Sequence, residues 1–292
     1  MQFKEFLEIQ RKKIDTSLYA FIQDAKTIKC HILKEAMAYT LCAKSKRLRP
    51  LLFLLVTDAL GFKEDALPFA CSLEMLHTYS LIHDDLPCMD NDDIRRGQPS
   101  CHKVYGEDIA LLAGNALLNE ALYLLSLYLK KYNFSADKIS VVLAEIFLTT
   151  GNLLCGQALD LKDVSVTSKS LEEIYLYKTG CLFIFAVRLG CYICVANNKQ
   201  VDLLTEFASK LGFMFQIQDD LLNIEGNAAL LGKSVGSDFR KGKKTYPQLV
   251  GIEKATEKVM FLATKAKVLL RKCDFDTLKL EEFVDFLLTR KS

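Results

Sequence analysis

Two clusters of carboxylates are the first residues in this sequence whose types and spacing could do chemistry. In LIHDDLPCMDNDDIRRG, residues 81–97, five aspartates fall within ten positions: Asp84, Asp85, Asp90, Asp92 and Asp93. Holding that many like charges together costs folding energy unless cations or water absorb it. A charge run by itself is most often a solvated loop, but this one follows the amphipathic stretch SLEMLHTYSLIH and is closed by Arg95 and Arg96. His77, Ser80 and Asp84 stand at i, i+3 and i+7, one polar stripe of a helix, as the wall of a cleft would have. Asp84 and Asp90 are six apart, which a straight helix would not bring together. Pro87 is therefore expected to loosen the helix end so that both reach one cation. The second cluster, FQIQDDLLNIEG at 215–226, puts Asp219 and Asn223 at i, i+4, with Gln216 and Asp220 close by in an otherwise apolar run. Adjacent carboxylates buried in such a helix are expected to need a cation. Oxygen-only sets of this kind suit Mg2+, which keeps several waters and bridges to phosphate groups.

Basic residues cluster as well. Lys44, Lys46, Arg47 and Arg49 precede Pro50, and Lys233, Arg240, Lys241, Lys243 and Lys244 lie in a glycine-punctuated stretch. With Arg95 and Arg96 they suggest sites for multiply charged anions, because such side chains neutralise and orient phosphate oxygens. The formal net charge is only +2. Two acidic and two basic clusters in a nearly neutral chain fit a metal-bridged diphosphate and no nucleic acid. The run from Gly226 to Ser234 is one residue too long for a phosphate-binding P-loop and has no strand before it.

The elements that must hold these groups read as helices. Segments 3–29, 110–131, 139–161, 170–196, 200–225, 250–272 and 277–290 carry helical apolar spacing, and polar or glycine-bearing breaks fall at 42–50, 60–66, 90–108, 162–169 and 226–247. Neither a linker nor a fixed repeat interrupts the 292 residues. The expectation is an all-α fold: a single large helical domain over 1–292, with central helices wrapped by outer ones around a central cleft. The start, MQFKEFLEIQRKK, lacks an export signal, so the chain is expected to be cytoplasmic with its ten cysteines unbridged. The C-x-x-C of Cys191 and Cys194 has no second pair to complete a zinc site. No apolar stretch reads as an uninterrupted span of about 20 residues, so stable membrane insertion is not expected.

Together these residues resemble the trans-isoprenyl diphosphate synthases, and among them the bacterial farnesyl diphosphate synthase (geranyltranstransferase) type. HDDLPCMDNDDIRRG resembles the family's first aspartate-rich motif in its longer form. KRLRP at 46–50, GQALDL at 156–161, KTG at 178–180, FQIQDD at 215–220 and LGK…KTYP at 231–247 follow in family order. The resemblance implies an isoprenoid-synthase bundle, usually homodimeric, that condenses isopentenyl diphosphate with dimethylallyl or geranyl diphosphate. It implies up to three Mg2+ ions, with Asp84, Asp90 and Asp219 as ligands. Lys46, Arg49, His77 and Arg96 would hold the diphosphate of isopentenyl diphosphate. Arg95, Lys178, Lys233 and Lys243 would hold the allylic diphosphate, and Thr179 and Gln216 would face the allylic carbon. Gln157 and Asp160 would stand near Lys178, and Tyr79 and Ser80 would face the growing chain. The sequence departs from the pattern at Lys44 and Ser45, where a glycine pair is usual, at Asn115, where an aspartate is often found, and at Asn223, where an aspartate is usual. A non-catalytic partner subunit would be expected to lack the aspartates present here, and a terpene cyclase would not need KRLRP, His77 and Arg96.

Overall fold

The structure, a computed structural model, describes residues 3–162, 167–225 and 244–290. Among these residues it is helical apart from its loops and one hairpin of two-residue strands. The chain divides into two units, one of Met1–Leu54 with Lys63–Ile139, the other of Leu55–Phe62 with Ser140–Ser292.

In the first unit, α1 (Phe3–Gln23) buries Leu7, Ile14, Leu18 and Ile22, one face at helical spacing. It stops six residues short of the expected 29, because the apolar repeat ends at Ile22 and the polar DAKTIK follows. After α2 (His31–Leu41) comes α3 (Leu48–Ala59), which runs on into residues of the second unit. The next helix, α4 (Leu67–Asp84), carries Pro68 in its first turn, where proline is tolerated, and is buried on nearly every side. It packs on α6 (Glu107–Lys131), whose facing residues include the small Ala110, Ala113 and Gly114. A Cβ added at Gly114 would sit 2.3 Å from His83 Nε2, so this glycine makes room for the end of α4.

Between these helices the expected break at 90–108 contains structure of its own. β1 (Ile94–Arg95) pairs antiparallel with β2 (Gln98–Pro99) across Arg96 and Gly97, both at positive φ (55° and 78°). This is the conformation a two-residue hairpin loop demands. The short α5 (Cys101–Tyr105) follows.

The second unit continues α7 (Ala136–Leu161). Next is α8 (Ser168–Tyr175), opened by a Thr167/Ser170 capping box, and then a π-turn, Leu176–Gly180. The expected helix over 170–196 is thus two helices with a wider turn inserted between them, the second being α9 (Cys181–Ile193). Then come α10 (Asn198–Glu225), α11 (Tyr246–Val250), α12 (Ile252–Leu270) and α13 (Leu278–Leu288).

None of the ten cysteines is in a disulfide. Three stretches, Glu107–Lys131, Ala136–Leu161 and Ser168–Ile193, are long and apolar enough to cross a membrane by length and composition alone. This differs from the sequence reading: their charges lie chiefly at the ends, so the apolar middle reaches spanning length.

Candidate active site

The first unit carries the first acidic cluster at the end of α4. The helix stops at Asp84, and the chain turns back so that the Asp90 N–H donates to the Asp84 carbonyl (2.8 Å) and the Asn91 N–H to Leu86 (3.1 Å). Asn91 takes the left-handed φ of 51° that closes this turn around exposed Pro87. The loosened helix end required by the six-residue spacing is therefore present, with Asp84 and Asp90 adjacent in backbone and both half-buried. Asp85 is buried instead, and its carboxylate accepts from Arg95 Nε (3.0 and 3.1 Å) and from Arg95 Nη2. Burial alone would lower the Arg95 pKa, but Asp85 and Asp92 beside it hold it above its ordinary value.

A second set of charges lies deeper in the same unit. Glu74, on α4, is 1% exposed, and its Oε1 accepts from Arg47 Nη1 (2.7 Å) and Arg96 Nη2 (2.9 Å). Arg47 also donates to Asp15 (2.7 Å) and to the Leu41 and Ala43 carbonyls. Arg96 donates to the Thr40 carbonyl (2.7 Å). Both arginines sit at positive φ, 52° and 55°, an uncommon conformation for residues with a Cβ. Burial would raise the Glu74 pKa, but the two guanidiniums outweigh it and hold the carboxyl below its ordinary value. Burial followed by the charges of Arg49, Arg96 and Arg95 pushes His77 well down, so it is a neutral imidazole at pH 7. Lys46 is exposed and Arg49 buried on either side of Arg47. Tyr79 is buried with its ring edge-on to His83 (5.7 Å), and Ser80 Oγ donates to the His77 carbonyl (2.9 Å).

The second unit carries the remaining described candidates around the π-turn. Two glycines allow close approach. A Cβ on Gly156 of α7 would lie 2.3 Å from the Lys178 backbone nitrogen, and one on Gly212 of α10 would lie 2.9 Å from Gly180 Cα. From Gly212 the same face of α10 continues through Gln216 and Asp220 at steps of four. Thr179 Oγ1 donates to Gln216 Oε1 (2.7 Å), and Gln216 Nε2 donates to Asp220 Oδ1 (3.0 Å). Asp220 Oδ2 accepts from the Tyr175 hydroxyl and from the Tyr246 N–H (3.2 Å). Burial pushes the Asp220 carboxyl up to about 7, and the three donors only partly offset it. Asp220 is thus met by neutral donors, none of which brings a counter-charge.

Lys178 Nζ pairs with Asp160 Oδ2 at 2.6 Å, beside buried Gln157, whose amide has no hydrogen-bond partner among the described residues. Asp219 is half-exposed and faces Arg290, whose Nη2 lies 3.3 Å from Asp219 Oδ1 and 3.2 Å from the Phe215 carbonyl. The Arg290 guanidinium covers the Phe215 ring at 4.0 Å. Its Nε and Nη1 are buried without hydrogen-bond partners among the described residues. Asn223, one turn after Asp219, is buried. Lys233 and Lys243 lie outside the described residues.

Glu74, Tyr175 and Arg290 were not foreseen. Glu74 is a single acid in an apolar helix, and Tyr175 is one aromatic among many. Arg290 lies 71 residues from Asp219 in sequence. Only Arg47, inside KRLRP, carried a local signal.

Among the described residues no three acidic, histidine or cysteine side chains converge to hold an ion alone. The paired backbone of Asp84 and Asp90 nonetheless fits Mg2+, which takes one or two carboxylates and completes its shell with water and phosphate oxygens.

Comparison with known proteins points the same way. The sequence model of the Polyprenyl synthetase family matches residues 30–272. The chain is 42% identical to a farnesyl diphosphate synthase of Geobacillus stearothermophilus over 94% of both chains. It is also 42% identical to a chloroplastic geranylgeranyl pyrophosphate synthase of Capsicum annuum, over 81% of this chain and 65% of that one. A solved geranyltransferase from Legionella pneumophila superposes with a TM-score of 0.86 at 28% identity, covering 99% of this chain and 97% of the other.

Proposed function

The chain belongs to the polyprenyl synthetase family, and from that premise we propose that it is a farnesyl diphosphate-forming prenyltransferase. It condenses isopentenyl diphosphate with dimethylallyl or geranyl diphosphate. The observation that carries this reading is the 42% identity, over nearly the whole of both chains, to a synthase of that product.

The residues divide the work by charge. Lys178, steered by Asp160, takes the allylic diphosphate, and Arg95, held charged by its carboxylates, is a second cation for the same group. Lys46, Arg49, neutral His77 and Arg96 hold the isopentenyl diphosphate. As the allylic C–O bond breaks, positive charge develops on carbon. The Thr179 hydroxyl directs its proton to Gln216, so the lone pairs of its oxygen are left for that charge. The double bond of isopentenyl diphosphate then attacks, and a proton is lost. Up to three Mg2+ ions, held by Asp84, Asp90 and Asp219, would supply charge that neutralises the departing diphosphate. The chain acts as a homodimer. Phe147, Leu148 and Leu154 on α7 are 60%, 65% and 63% exposed, an apolar surface that a second copy would cover.

A product assay tests the reading. Purified protein receives Mg2+, labelled isopentenyl diphosphate and either starter, and products are sized by carbon number. A fifteen-carbon product from both starters is expected, and Tyr79→Ala should lengthen it. A twenty-carbon product from the native chain would keep the reaction and reassign the product; elongation of neither starter would overturn the reading.

A further inference from the structure

Tyr175 is the last residue of α8, directly before the π-turn that carries Lys178 and Thr179. Its hydroxyl donates to Asp220 Oδ2 and accepts from the Tyr246 N–H at 3.1 Å, and that N–H is shared with the same carboxylate oxygen. The Tyr175 ring is packed against Phe213 at 6.2 Å. Asp220 is thus pinned on one oxygen by Tyr175 and Tyr246, and its other oxygen is left to Gln216 Nε2.

That arrangement decides which way the Gln216 amide points. A carboxylate oxygen only accepts, so the amide must turn its NH2 to Asp220 and its oxygen away. The amide oxygen then accepts from Thr179 Oγ1 at 2.7 Å, which fixes where the Thr179 proton goes and where its lone pairs face. Without a pinned Asp220 the amide could flip, and Thr179 would meet an NH2 instead of an acceptor. The chain of bonds runs from the Tyr175 phenol through Asp220 and Gln216 to the Thr179 hydroxyl, the group that the prenyltransferase reading sets against the allylic carbon.

We propose that Tyr175 is a positioning residue for the prenyl-transfer step, acting through Asp220 to set the Gln216 amide and through that amide the Thr179 hydroxyl. The inference rests on the prenyltransferase reading above. It assigns Tyr175 no contact with either diphosphate, so its loss should slow turnover and leave binding alone.

The test is a double-mutant cycle on the full-length protein. Tyr175→Phe removes one oxygen and keeps the ring against Phe213. Steady-state rates are measured for this variant, for Gln216→Ala and for the pair, with calorimetry of a non-ionising allylic thiolodiphosphate on each. The expected result is that Tyr175→Phe lowers kcat about tenfold, the worth of one buried hydrogen bond. Both KM values and the analogue Kd should stay within about twofold, because the lost bond contacts neither substrate. Adding Tyr175→Phe to Gln216→Ala should cost nothing further, since the two act in series. Losses that multiply, an unchanged kcat, or an analogue Kd that weakens in step with kcat would each overturn the inference, because a merely structural tyrosine gives those outcomes. A native protein that elongates neither starter would instead overturn the prenyltransferase reading, and the inference with it.

Discussion

Glu74 in the first unit and Asp220 in the second are both carboxylates buried in long helices among apolar neighbours, 1% and 4% exposed. Their surroundings treat the charge in opposite ways. Glu74 lies between two guanidiniums and is held ionised below its ordinary pKa; Asp220 lies among a phenol, an amide and a backbone N–H and is raised to about 7. The difference separates two tasks. Around Glu74, the carboxylate anchors cations, giving Arg96 a fixed place near the acidic turn. Around Asp220, the carboxylate passes on orientation, and most of its value lies in accepting hydrogen bonds.

The sharpest break in this comparison is Glu74→Gln. It leaves Arg47 and Arg96 buried without a full counter-charge and should cost about 3–5 kcal/mol of stability, read as a lower urea midpoint. Because the folded pKa of Glu74 lies below its unfolded value near 4.5, its contribution is complete above that pH and disappears as pH falls through the folded value. Acid unfolding of the native chain should therefore steepen below about pH 4.5, and Glu74→Gln should flatten that limb. Asn223→Asp sharpens the other side. A carboxylate one turn from Asp219 should lower the Mg2+ concentration for half-maximal rate about tenfold, and an unchanged Mg2+ dependence would remove Asn223 from the metal argument. The smallest effect is expected from Asp220→Asn. It removes no counter-charge from a buried cation but turns one accepting oxygen into an NH2 that must face a donor, so it should cost about 1 kcal/mol of metal-free stability, well below Glu74→Gln. A loss as large as that of Glu74→Gln would mean that Asp220, too, holds charge.

The long helices were legible because their apolar faces repeat every three or four residues over many turns, as in α1, α6 and α10. The motif residues were legible because each cluster is local in sequence. The partners were not. Glu74 meets Arg47 and Arg96 from 27 and 22 residues away, and no periodicity marks one acid in an apolar helix for that contact. The hairpin at 94–99 is too short to show alternation, although Arg96–Gly97 has the glycine such a turn needs. The π-turn is equally silent, since one extra residue leaves the flanking helical patterns intact.

That extra residue has a consequence for how the site could be gained or lost. A π-turn is an α-helix with one residue inserted, so the segment from Ser168 to Ile193 is a single deletion away from an ordinary helix. Losing Leu176 would heal the helical register and rotate the residues C-terminal to it by about 100° relative to α8. Lys178 and Thr179 would then face away from Asp160 and Gln216 with every side chain of the motif still present. Point substitutions sample chemistry at fixed register, whereas here the catalytic geometry is stored in the count of residues, so insertions and deletions are the changes to which this stretch is least tolerant.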